Sequence, residues 1–226
     1  TIAWGASIEG EKLAVNHAPV ADLLVVSARS PSGIGLYLVD ARAKGVTMHA
    51  YRTLDEMPAA DIVLKDAPGE LLGQDGAALP LIEDVVDFAT ALVCAEAVGA
   101  IKSANDATLE YLKTRKQFGV PIGAFQALQH RMVDMVISYE QAKSMASLAC
   151  AKLDSAKDAA ERRRVVSAAK IRIGDACRHV SQESVQLHGG MGMSEELKVS
   201  HTFRRLTAIA QQFGDTDHHL ERFARY

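Results

Sequence analysis

Aromatic residues are scarce in this chain, at 5% of 226 positions with a single Trp, and positive charge is not in excess. Lys and Arg number 25 against 28 Asp and Glu, for a formal net charge of −3. A nucleic-acid reader presents a basic face, so these two shortages argue against one. The only dense basic cluster, Glu161-Arg162-Arg163-Arg164, reads as a solvated helix face. Cysteine is rare too. Cys94, Cys150 and Cys177 lie far apart in apolar helical contexts, which excludes a zinc spacing or a disulfide framework and fits buried thiols in a reducing, cytoplasmic setting. No apolar run reaches the roughly 18 residues of a membrane span, and no signal-peptide pattern precedes the first strand. The chain opens at Thr1, without Met, on strand-like sequence, which reads as the C-terminal part of something longer. Its one early glycine-rich stretch, "SPSGIG", is followed by a strand and not a helix, so it reads as a hairpin turn instead of a phosphate loop.

What is present falls into two halves with different periods. Residues 1 to about 75 carry short apolar or alternating runs, "KLAVNHA", "ADLLVVSAR", "GIGLYLVDA", "GVTMHAY" and "ADIVLKD", separated by turn signals. No helical pattern lies between them, which favours an antiparallel sheet or small barrel over βαβ units. From about Leu79 the period becomes helical, with long segments at about 80–117, 125–153, 158–188 and 195–212 and a short helix after Thr216. The expected fold is therefore α+β: a small antiparallel β domain over 1–76, then an antiparallel four-helix bundle over 77–226.

Two stretches carry more than structure requires. In "TRKQFGVPIGAFQALQHR", residues 114–131, the pattern predicts a helix that ends at Phe118-Gly119 and another that begins near Phe125. A C-cap explains Lys116, Gly119 and Pro121 but leaves Arg115, Gln117 and Phe118 without a role. In "VQLHGGMGM", residues 185–193, three glycines within four positions follow Gln186 and allow close approach to a bare backbone. With Arg115 they suggest an anion site, a guanidinium gripping a pyrophosphate while Gln186 and the glycines hold polar groups of a nucleotide.

These two motifs, in this order and after a β domain, resemble the flavin-holding motifs of the acyl-CoA dehydrogenase family. The resemblance runs from "GEKLAVNHAPVADLLVVSAR" to "FGDTDHHLERFA". It implies that the motifs reach across a subunit interface to a neighbour's FAD. Arg115 and Gln117 would meet the pyrophosphate, Phe118, Ile122, Phe125 and Leu128 would line the adenosine side, and Gln186, Leu187, Gly189 and Gly190 would contact the adenine and ribose end. It further implies α,β-desaturation of an acyl-CoA thioester, an electron-transfer flavoprotein as acceptor, and a homo- or hetero-tetramer built as a dimer of dimers.

The sequence departs from that family where the chemistry is done. The aromatic-x-hydroxyl stretch that packs on the flavin ring is here Ala14-Val15-Asn16, and the family's N-terminal helical domain and first strand are missing. The carboxylate base that removes the α-proton usually stands before the last helix, in a stretch that here reads "QQFGDTDHH". Phe213 or Gly214 occupies its position, and Asp215 is the nearest carboxylate. The alternative base position, on the first bundle helix, is Ala89, with Asp87 roughly 200° around the helix. Asp215 is the candidate base, although "GDTDHH" is also a good helix start with Asp215 or Thr216 as N-cap. His218-His219-x-Glu221 lacks a partner cluster for a metal and reads as exposed helix, and His188 as an interface packing residue. This pattern of departures looks most like the partner subunits of heteromeric members. Two functions stay open beside each other: a dehydrogenase subunit, or a catalytically silent partner that completes another chain's FAD site. A related flavin monooxygenase or oxidase on the same fold is a third.

Overall fold

The computed structural model describes residues 1–226, which form two compact units, 1–84 and 85–226. The first holds seven strands: β1 (Ile2–Trp4), β2 (Ser7–Asn16), β3 (Leu23–Ser30), β4 (Gly33–Asp40), β5 (Val46–Arg52), β6 (Pro58–Pro68) and β7 (Glu70–Leu72). They make one mostly antiparallel sheet in the order β5-β6-β2-β1-β3-β4-β7. Alternation in β3 and β4 turns Leu24, Val26, Ala28, Tyr37 and Val39 inward, where they meet Ile8, Ile62 and Leu64 in the core of this unit. The "SPSGIG" stretch is the β3–β4 hairpin turn, with Ser30 opposite Gly33. The register of β2 against β6 shifts between Lys12 and Val15. There Ala14 adopts φ 51°, and its N–H donates to Asp61 Oδ1 at 2.8 Å, a carboxylate that also accepts from the Tyr51 hydroxyl at 3.0 Å.

The second unit is helical: α1 (Leu79–Thr114, whose first turn lies in the first unit), α2 (Gln126–Ser155), α3 (Ala159–His188), α4 (Lys198–Gln211) and α5 (Thr216–Arg225). Small residues at the contact positions, among them Ala97, Ala104, Ala142, Ala146 and Ala176, let the helices approach closely around Ile101, Met135, Ile173 and Leu206. α3 starts on the Asp158 side chain, which accepts from Glu161 N–H at 2.8 Å, while Glu161 accepts in turn from Lys157 N–H at 2.7 Å. No helix is long and apolar enough to cross a membrane.

Three expectations change. α1 stops at Thr114, not Phe118. The next residues form a small hairpin, β8 (Lys116–Gln117) and β9 (Val120–Pro121), with Phe118 and Gly119 at its tip. Both tip residues have positive φ, 53° and 80°, as a two-residue hairpin turn requires, so Gly119 serves the turn and not a helix cap. The basic cluster of α3 is only partly solvated: Arg164 is exposed, but Arg162 and Arg163 are half-buried and all three are engaged. Arg162 Nε bonds Asp87 Oδ2 at 3.2 Å, the Arg163 guanidinium lies over the Tyr226 ring at 5.4 Å, and that of Arg164 over Phe223 at 4.8 Å. His219, finally, is buried, with Nε2 donating to Phe213 O at 3.1 Å.

These contacts seat α5. Asp87 is fully buried on α1, and Arg222 of α5 completes its coordination while also donating to Ser167 Oγ at 3.3 Å. Lys170, fully buried on α3, donates to Ala210 O at 3.0 Å and Gly214 O at 2.8 Å, capping the end of α4; burial lowers its pKa. A Cβ on Gly174 would lie 2.7 Å from Thr216 Oγ1, so only glycine lets α3 meet the start of α5.

Removing Asp87 leaves two guanidinium groups facing one apolar interior. Asp87→Ala is expected to lower the unfolding free energy by about 3–5 kcal/mol in urea titration, the usual cost of breaking a buried pair. A loss below about 1 kcal/mol would show that the two arginines reach water instead. His219 gives a pH signature. Burial first, then the nearby Lys170 cation, pushes its pKa from 6.5 down to about 4. Between those values the unfolded chain binds the extra proton, so the stabilisation is present above the unfolded pKa and is lost as pH falls through the folded one. The urea midpoint should fall more steeply from pH 7 to pH 5 in the wild type than in His219→Gln. Parallel slopes in the two proteins would contradict this assignment.

Candidate functional site

The β8–β9 hairpin and the end of α3 come together around one cleft of about 560 Å³ in the helical unit. It brings together Arg115, Gln117, Ile122 and Leu128 from the first motif with Gln186, Leu187, Gly189 and Gly190 from the second. These positions lie about 70 residues apart in sequence and meet because α3 runs back along α2, which brings its C-terminal end beside the start of α2. Phe118 and Phe125 do not line it. Phe118 is 91% exposed at the hairpin tip, and its ring meets that of Phe125 edge-on at 6.1 Å.

Polarity runs across the cleft. Arg115 N–H closes the last turn of α1 on Tyr111 O at 2.8 Å, while its guanidinium makes no hydrogen bond or ion pair within the chain. No carboxylate lines the cleft, and the other cation, Arg131, is held by Glu183 at 2.6 Å. Arg115 is thus the one uncommitted charge there. Gln117 turns its amide NH₂ onto Lys116 O at 2.8 Å, leaving its carbonyl oxygen free. At the opposite side α3 ends at His188, and Gly189 follows at φ 59°; a Cβ on Gly189 or Gly190 would meet nothing within 4 Å. A helix C-terminus offers carbonyl acceptors, which suit hydroxyl or amino donors. The cleft therefore fits a ligand with an anion near Arg115 and neutral donors near Gly189.

Tyr111, Arg131, His188 and Met191 also line the cleft and were not expected there. His188 Nδ1 donates to Ser184 O at 2.8 Å, and its ring stacks on Tyr111 at 4.4 Å, so it packs within its own chain. Tyr111 stands four residues before Arg115 and Arg131 three after Leu128, helical spacings that put each on the same face.

Neither carboxylate considered as a base is free. Asp215 is exposed but caps α5, Oδ1 accepting from His218 N–H at 2.9 Å; Asp87 is enclosed between Arg162 and Arg222. Before Asp215, Phe213 and Gly214 both have positive φ, and a Cβ on Gly214 would lie 2.4 Å from His218 Cδ2. The three thiols are free, and burial pushes those of Cys94 and Cys177 up to about 12, where they are inert. No group of three or more His, Cys, Asp or Glu is arranged to hold a metal.

The caffeyl-CoA reductase-Etf complex subunit CarC of Acetobacterium woodii is 29% identical over 87% of the chain and 54% of its own length. A variant of the Tcur3481-Tcur3483 steroid ACAD superposes with a TM-score of 0.87 at 30% identity, over 99% of this chain and 60% of that one. The FAD complex of PigA gives 0.88 at 26%, over 96% and 59%. The chain spans about half the length of the curated relatives it matches. Residues 79–226 match the family model for the acyl-CoA dehydrogenase C-terminal domain, and the chain belongs to that family.

Proposed function

We propose that the chain is a subunit of a cytoplasmic, FAD-dependent acyl-CoA dehydrogenase that desaturates an acyl-CoA thioester between its α and β carbons. The observation that carries this reading is the uncommitted Arg115 guanidinium in a cleft without acids, opposite the open backbone of Gly189 and Gly190. Arg115 and Gln117 would hold the pyrophosphate of FAD, Ile122 and Leu128 its adenosine side, and Gln186, Leu187, Gly189 and Gly190 its adenine and ribose, with Phe118 reaching from the hairpin tip and Phe125 from the start of α2. FAD, when bound, accepts the hydride that leaves the β-carbon. Beyond the cleft, an apolar groove of about 620 Å³ carries the half-exposed Leu109, Val133, Val136 and Ile137. This supports burial of the helical unit against further subunits, as a homo- or hetero-tetramer. An electron-transfer flavoprotein is the acceptor proposed, in keeping with the Etf complex named for one relative.

The second reading, a partner that completes another chain's FAD site without doing the proton chemistry, is favoured by one observation. The carboxylate nearest the usual base position is spent on a helix cap, and the turn beside it admits no side chain at Gly214. The α-proton would then go to a carboxylate of another chain.

Arg115→Ala should weaken FAD retention by about one to two decades, the worth of a charge-assisted bidentate contact, whereas Lys157→Ala, an exposed cation remote from the cleft, should not. Flavin absorbance after dialysis reads the difference. Equal retention in both variants, or a stable monomer with FAD bound, counts against the assignment. For Asp215 the expected result is that Asn, nearly as good a cap, leaves turnover and stability almost unchanged, while Ala costs roughly 0.5–2 kcal/mol of stability. A collapse of turnover in Asp215→Asn with flavin content intact would make Asp215 the base after all.

A further inference from the structure

His188 stands where α3 passes into the glycine turn, and its ring is held from several sides. Nδ1 lies 2.8 Å from Ser184 O, and a carbonyl only accepts, so Nδ1 carries the proton. Ser184 is pinned in turn, its Oγ 2.8 Å from Thr108 Oγ1 of α1. One face of the imidazole stacks on Tyr111, with ring centroids 4.4 Å apart. Gly192 closes on the Cβ, where a side chain of its own would stand 3.1 Å away.

Only 5% of the residue remains exposed. Nε2 has no hydrogen-bond partner in the chain, yet it is not sealed from solvent. Because the ring lines the cleft, that small opening is onto the cleft. With Nδ1 protonated, Nε2 of the neutral ring holds a lone pair and can only accept. The opposite tautomer would set the lone pairs of Nδ1 and Ser184 O against each other at 2.8 Å. The cleft therefore contains one side-chain acceptor whose role is locked.

Its position decides which donor it meets. Tyr111 lies one turn of α1 before Arg115, about 6 Å along the helix axis. The ring stacked on Tyr111 is set back from the anion end by a similar step, as a nucleotide's base is set back from its phosphates by one sugar. Gly189 and Gly190, where a Cβ would meet nothing within 4 Å, leave room there for a flat heterocycle.

We propose that His188 reads the base of the bound nucleotide, its Nε2 accepting a hydrogen bond from the exocyclic amino group of adenine. This rests on the FAD reading of the cleft and adds to it the group that chooses the base. Arg115 grips any pyrophosphate, and Gln186 can turn its amide to suit a donor or an acceptor. His188 can do neither. A purine without the amino group leaves Nε2 enclosed and unpaired, and a site built around a fixed polar atom rejects the ligand that leaves it so.

Calorimetric titration of the full chain tests this with three probes: ADP, purine riboside 5′-diphosphate, which lacks only the amino group, and 2′-deoxy-ADP. The titrations are run at pH 8, well above the ordinary histidine pKa of about 6.5. ADP should bind roughly tenfold more tightly than the deamino analogue, and 2′-deoxy-ADP about as well as ADP. In His188→Phe, which keeps a flat ring for Tyr111 but no nitrogen, the preference should shrink to about twofold or less. A merely structural His188 would lower both affinities and leave their ratio unchanged, which overturns the proposal. A ratio near one in the wild type also overturns it, as does a loss confined to 2′-deoxy-ADP, which would assign Nε2 to a ribose hydroxyl. Arg115→Ala should weaken ADP and the deamino analogue alike. If neither nucleotide binds, or binding ignores Arg115→Ala, the FAD reading of the cleft fails and this proposal with it; binding that depends on Arg115 but shows no preference sinks this proposal alone. Should His188→Phe not fold, the ¹⁵N resonance of His188 Nε2 in the wild type decides: a shift with ADP and none with the deamino analogue supports the contact, and the same response to both overturns it.

Discussion

The helical unit depends on one buried carboxylate. Asp87 lies wholly inside, between Arg162 of α3 and Arg222 of α5, and so ties the first long helix to the last short one. Such a group adds little net stability over an apolar replacement, since desolvating three charges offsets much of their attraction. What it adds is selectivity of docking. A ten-residue helix with few buried apolar residues could slide along α3 at small cost, but one register alone gives Arg222 both Asp87 and Ser167. The cation–π contacts of Arg163 and Arg164 with Tyr226 and Phe223 reinforce that register. The α4–α5 turn, which Lys170 and His219 hold by its carbonyls, inherits its position from there.

Two arginines of like charge thus meet opposite fates, and the contrast explains which one is available to a ligand. Arg162 is mostly enclosed and satisfied within its chain. Arg115 begins a hairpin, beyond the reach of any acid, with Arg131 nearby already neutralised by Glu183. A cation left unpaired at the surface costs little because water solvates it, and it keeps its full attraction for an incoming anion. The neighbouring end of α3, with its carbonyls and bare glycine backbone, makes the other side of the cleft repel anions and accept donors. A dinucleotide bound as proposed would be oriented by that asymmetry more than by any single contact.

Local signals were legible. The helical period, the strands of the β unit, the "SPSGIG" turn, and the two motifs that share the cleft all declare themselves within a few residues of sequence. The errors have a common physical cause, which is dependence on something distant or on an unusual torsion. "KQF" tolerates a helix, and nothing in a phenylalanine announces the positive φ that makes Phe118 half of a hairpin turn; placing it at the tip also removes it from the cleft wall. The Arg162–Arg164 run looks solvated until Asp87, 75 positions earlier, is brought beside it. His219 is buried because α5 turns that face onto α3, a consequence of the same docking.

The α4–α5 turn combines a rigid frame with a carboxylate committed to a helix cap. Lys170 fixes Gly214 O and His219 fixes Phe213 O, so the backbone there is as constrained as a catalytic loop requires. Yet the two left-handed residues and the His218 ring leave no room for a side chain at Gly214, and the next carboxylate, on Asp215, points back into its own helix. To turn Asp215 outward would expose the first N–H groups of α5 without a partner, at roughly the 0.5–2 kcal/mol of a lost cap, and would still leave a carboxylate one methylene short. Placement within about 1 Å decides orders of magnitude in proton transfer. A turn built this rigidly around a cap supports the proposed second reading, in which the proton acceptor would stand on another polypeptide chain and this one would hold the cofactor's phosphates.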